Sequence, residues 1–250
     1  MVDVGPPRAP LAHAKPSSAA TGAGAAGARA GRAERIVLAI LAALVVIGLA
    51  LALYDAYLFR LYTSEEGPIE NLTVVALLGG AWVCFRRAWQ LRRGRSALFV
   101  AATVLLGVLY VGAAGEEVSW GQRLIGFEVP DFFRQHNAQG ETNVHNLLVK
   151  GVKINRLVFG TGLLIIVLLY CSVLPLGYRR WPWLRRMADS LAVPVPRTRH
   201  IVWYGLLALV ASVTPSKFRW EVLELVSATM FLLITTLPLN AGVFRAEPDR

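Results

Sequence analysis

Two adjacent carboxylates, Glu116 and Glu117, close the apolar run SALFVAATVLLGVLYVGAA, and Ser119, Trp120, Gln122 and Arg123 follow within the string GEEVSWGQR. A second polar run, HNAQGETNVHN at 136–146, supplies His136, Asn137, Gln139, Glu141, His145 and Asn146. Carboxylates placed beside imidazoles offer ligands for a divalent metal, or an acid–base pair. A metal held this way would activate water for hydrolysis or transfer. On that reading the candidate catalytic set is Glu116, Glu117, His136 and His145. Candidate metal ligands are Glu117, His136, His145 and Glu141, with Glu66 and Glu224 contributed from other segments. Arg123, Trp120, Gln122, Asn137, Gln139 and Asn146 are candidate substrate-binding residues, and Arg123 or Arg134 suits a phosphate. The two histidines are nine residues apart, which matches no standard zinc spacing. Ser119 with a histidine base is a further arrangement, but GEEVSWGQ lacks the nucleophile-elbow pattern.

The same residues suit a second, non-catalytic reading. Glu116 with Arg123, and Glu141 with His145, would be ion pairs of a structural clasp that locks the polar connection over a helical bundle. The protein would then bind lipid or a partner. Acidic residues in a first helical turn also favour the dipole without any chemistry, which covers Glu66, Glu70, Glu221 and Glu224.

The elements that must position these groups are apolar helices. Of 250 residues, 55% are hydrophobic and 17% charged, against about 25% charged in a soluble domain. Six apolar blocks, at about 36–59, 67–85, 96–114, 157–176, 200–215 and 222–239, approach or exceed the roughly 17–25 residues that cross a hydrocarbon core. The expected fold is all-α, a polytopic transmembrane helical bundle of about six spans. An interfacial segment, RLIGFEVPDFFRQHN, lies between spans three and four, with its aromatic residues at headgroup depth. The expected domains are a disordered cytoplasmic tail at 1–35, a six-span domain at 36–240 and a short cytoplasmic tail at 241–250.

Basic residues set the expected orientation. The N-terminal tail, the connection at 86–95, the stretch 178–200 and the C-terminal tail hold 18 Lys and Arg, against 8 on the alternate connections. By the positive-inside rule both termini are cytoplasmic and the two polar motifs face outward from a cell inner membrane. The formal charge of +10 is juxtamembrane, so the expected partners are membrane lipids and other membrane proteins, with no nucleic acid. Cys84 and Cys171 sit inside apolar blocks and read as small core residues. Transport ranks last, because few charges lie deep in the spans. The one cofactor in view is a divalent metal.

If the third span continues as helix through the motif, Glu116, Ser119, Trp120 and Arg123 share a face. Asn143 is then expected to cap a helix over NVHNLLVKGVKINR.

The strings GEEVSWGQR-x-x-G and HNAQGETNVHN, with EEGPIE at 65–70, resemble an uncharacterised family of bacterial multi-span membrane proteins over about residues 60–150. That resemblance implies a helical membrane fold and no particular activity. At the level of ingredients, Glu116-Glu117, Phe132-x-x-x-His136 and His145-Asn146 are similar to CAAX-processing intramembrane metalloproteases. Here, however, Arg123 lies six positions beyond Glu117, Asn146 follows His145 directly, and one short connection holds both histidines. In those proteases the elements are spread over separate spans.

Overall fold

The computed structural model describes residues 18–137, 140–144, 147–149, 152–153 and 163–245. The chain divides into two compact units, Met1–Ile40 and Leu41–Arg250, and everything that positions the polar motifs lies in the second.

The fold is all-α. Helix α1 (Ser18–Tyr54) begins within the stretch expected as a tail, because its Ala-rich sequence has high intrinsic helix propensity. The first apolar block does not run unbroken to residue 59. Asp55 interrupts it in an extended conformation and accepts hydrogen bonds from the backbone N–H groups of Tyr57 and Leu58, which starts α2 (Ala56–Tyr62). Helix α2 folds back on α1, and Tyr62 donates its hydroxyl proton to the Leu44 carbonyl at 2.9 Å. Helix α3 (Pro68–Leu91) opens with proline in its first turn, and α4 (Ala97–Glu117) is capped by Ser96, whose Oγ accepts from the Phe99 N–H. Past the polar motifs come α7 (Leu163–Arg180), α8 (Pro182–Ser190), α9 (Thr198–Ser212) and α10 (Arg219–Thr236), after the short α5 (Gln122–Ile125) and α6 (Asp131–His136).

Three helical segments are long and apolar enough to cross a membrane: Gly27–Tyr54, Pro68–Leu91 and Ala97–Glu117. Six spans are not supported among the described residues. Helix α9 has only 15 residues, and the 18 residues of α10 include Arg219, Glu221 and Glu224. The expected helix over 143–156 is also absent from the described residues. Two-residue strands β1 (Leu148–Val149) and β2 (Val152–Lys153) pair antiparallel there. Leu and Val suit a strand as well as a helix, so local sequence does not decide between them.

Helices α3, α4 and α10 form the packed centre, around Ala76, Leu77, Ala81, Cys84, Tyr110, Ala114 and Ala228. Small residues let these backbones approach closely, the packing mode favoured between membrane helices. Cys84 and Cys171 are both buried free thiols. Tyr110 of α4 reaches across α3 to α10, where its hydroxyl lies 2.8 Å from Thr235 Oγ1. A Cβ on Gly80 would sit 2.6 Å from the Tyr110 ring. Gly80→Ala should therefore displace Tyr110 and lower stability by about 1–3 kcal/mol, read as a lower unfolding midpoint of the detergent-solubilised protein.

Candidate functional site

The two polar motifs meet because the chain stops being an ordinary helix at Val118. Helix α4 ends at Glu117, and Ser119, Trp120 and Gly121 then take left-handed conformations, with φ of 46°, 56° and 75°. Two non-glycine residues in that region cost about 1–2 kcal/mol each. The shared helical face expected for Glu116, Ser119, Trp120 and Arg123 does not form. Instead the turn drives Ser119 inward, where it is buried, and points Arg123 at a different segment.

Ser119 is the hub of the buried part. Its hydroxyl donates to Glu141 Oε2 at 2.7 Å and accepts from Asn143 Nδ2 at 3.0 Å. Asn143 Nδ2 also lies 3.1 Å from Glu141 Oε2. Asn137 Nδ2 donates to the Asn143 carbonyl and to Asn143 Oδ1, at 2.9 and 2.8 Å. Asn143, expected as a helix cap, is thus a fully buried cross-link between the two motifs. The Glu141 N–H donates to Asn137 Oδ1 at 3.3 Å, and the Thr142 N–H to Gln122 Oε1 at 2.9 Å. An isolated antiparallel bridge between Asn137 and Leu147 closes the base of this loop.

Arg123 holds the outer part. Its guanidinium donates to Glu65 and to Glu141, and Glu66 lies 4.0 Å away. The hydrogen bond to Glu65 is the largest influence on Arg123 and lifts its pKa above the usual value. The partner expected for Arg123 was Glu116, which instead accepts from Trp120 Nε1 at 2.8 Å and from the Val144 N–H at 2.6 Å. With its donors directed at carboxylates, Arg123 is not poised to hold a phosphate. Arg134 is turned to the Val129 carbonyl at 3.0 Å and to Asp131 at 3.5 Å.

The remaining predicted ligands are dispersed. His136 ends α6, exposed, with Nδ1 2.8 Å from the Phe132 carbonyl oxygen and its ring stacked on Phe132. A carbonyl only accepts, so Nδ1 carries the proton in this contact. Glu66 opens the turn before α3, and its N–H donates to Glu70 Oε2 at 2.7 Å, a variant of the capping box. Glu117 and Glu224 do approach each other. Both lie within electrostatic range of Glu221 and Glu70, at the end where α4 stops and α10 begins. His145, Asn146 and Gln139 lie outside the described residues. Among the described residues, no three His, Cys, Asp or Glu side chains gather in a metal-binding arrangement.

Sequence reading missed Glu65 as the partner of Arg123 and Asn143 as the link to Ser119. Neither pairing leaves a local signal, since 58 and 24 residues separate the partners. Gly121 was the one visible hint of a left-handed turn.

No family model matches the chain, and no curated protein or solved structure was found to resemble it.

Removing the Asn143 side chain strips donors from Ser119 and Glu141 and an acceptor from Asn137. Asn143→Ala is expected to cost about 1–3 kcal/mol, and Gly121→Ala about 1–2 kcal/mol through its positive φ. The exposed Glu128→Ala control should stay within about 0.5 kcal/mol. Denaturant unfolding of the three variants in detergent measures all of these.

Proposed function

We propose that this chain is a non-catalytic component of a cell inner membrane, with its N-terminal end and the 92–96 connection cytoplasmic, in which the two polar motifs form an outward structural clasp. The clasp holds the connection at 124–137 at the membrane boundary. There Ile125, Phe127 and Phe132, all exposed, meet lipid. The observation that carries this reading is the direction of the polar groups. Arg123, Glu141, Ser119 and Asn143 are bonded to one another, and Glu116 is held by Trp120 Nε1 and the Val144 N–H, leaving none of them as a ready nucleophile or proton carrier. The asymmetry of Lys and Arg supports the orientation. A metal-dependent hydrolase or transferase acting on a lipid or membrane peptide is the competing reading. It would need His136 to leave the Phe132 carbonyl and gather with carboxylates that it does not meet among the described residues.

Arg123→Glu should lower the unfolding midpoint by several degrees, and Glu65→Arg in the same chain should recover at least half of the loss, as coupled neighbours do. Elemental analysis of the purified parent should show no stoichiometric divalent metal. An unchanged midpoint in Arg123→Glu, or a bound metal lost on Glu117→Gln, would overturn the clasp in favour of the enzyme.

A further inference from the structure

Away from the clasp, a cleft of about 450 Å³ lies between the end of α1, helix α2 and the α9–α10 connection. Its lining is mostly apolar, with Ala52, Ala56, Phe59 and Pro215 among the walls. Two cations reach into it from different segments and share one aromatic ring. The Arg60 guanidinium carbon lies 6.0 Å from the centroid of Phe218, and Lys217 Nζ lies 5.1 Å from the same centroid. Neither cation forms an ion pair with a carboxylate among the described residues, whereas Arg123 in the clasp is held by several. Both side chains are exposed.

The contrast is physical. Two positive charges gathered on one ring repel each other unless an anion joins them, and the ring holds both stems in place. The cleft adjoins the end of Gly27–Tyr54, a helix long and apolar enough to cross a membrane, and a helix that spans ends near the boundary between headgroups and acyl chains. Phe59 at its floor is fully buried, which gives the wall a fixed shape.

We propose that this cleft is a phospholipid site. Arg60 and Lys217 bind the phosphodiester, and the wall of Ala52, Ala56 and Pro215 receives the start of an acyl chain. The site is independent of the clasp, sharing none of its residues. It gives the protein a headgroup-selective lipid contact on the motif-bearing end of its helices.

The test is thermal unfolding of the full chain in a zwitterion-free detergent, titrated in parallel with phosphatidylglycerol, with a diacylglycerol of the same chains, and with inorganic phosphate. Phosphatidylglycerol should raise the midpoint and saturate, while the other two leave it in place. Lys217→Gln should weaken the half-saturating concentration about fivefold, the value of one cation near an anionic headgroup. Arg60→Gln/Lys217→Gln should abolish the shift. Lys217 is exposed and bonded only to a ring, so the single variant remains informative if the double variant does not fold. An equal shift with diacylglycerol, or an undiminished one in Lys217→Gln, would overturn the site. An equal shift with inorganic phosphate would overturn the lipid assignment and leave a soluble anion as the ligand.

Discussion

The bond between Arg123 and Glu141 is the constraint on which the polar end of this protein depends. The Glu141 side chain is only 13% exposed, so its charge could not be left unpaired without a penalty of several kcal/mol. Glu66, 62% exposed and 4.0 Å from the same guanidinium, contributes little by comparison. One arginine thereby joins three stretches that are distant in sequence: the turn before α3, the turn after α4 and the loop beyond α6. The left-handed turn at 119–121 follows from this. An uninterrupted helix would carry Arg123 onward along the α4 axis, out of reach of Glu141, and would leave Ser119 without its buried partners. About three buried hydrogen bonds at roughly 1 kcal/mol each are comparable to the backbone cost of two non-glycine residues at positive φ.

Around this bond the carboxylates separate into two groups with opposite electrostatics. Glu65, Glu116 and Glu141 are each matched to a donor. Glu117, Glu221 and Glu224 instead lie within electrostatic range of one another where α4 ends and α10 begins. Glu70, which both groups influence, lies within electrostatic range of Arg123. The clasp therefore sits beside a buried acidic group at the end of the α3, α4 and α10 packing. Tyr110 and its contact with Thr235 tie the same three helices further along.

A similar division applies to the cations. Arg123 is consumed by intramolecular pairing, and Arg87 is turned to the carbonyl oxygens that end α10, including Thr236 at 2.8 Å. Arg60 and Lys217 have an aromatic ring but no counter-charge among the described residues. Where a membrane protein leaves two cations unneutralised beside an apolar wall, the anionic headgroups of the bilayer are the nearest source of compensation.

The sequence by itself determined the class of protein and the location of its polar chemistry. Three of the apolar blocks are long and apolar enough to cross a membrane as helices, whatever their surroundings. Ser96 and Pro68 specify where two of them begin through purely local hydrogen bonding and backbone geometry. The strings at 115–123 and 136–146 stood out because polar side chains are costly beside such blocks, and the structure brings those two strings into contact. Only the tertiary structure decided who bonds to whom. Ser119 and Trp120 have no intrinsic preference for positive φ, so beyond the hint of Gly121 the helix break after Glu117 depends on Glu141 and Asn143 from the far side of the loop. The choice of Glu65 over Glu116 as partner for Arg123 likewise depends on where α3 starts relative to α4. Local propensity acts over a few residues, whereas these pairings act across tens of residues and exist only once α3, α4 and α10 have packed.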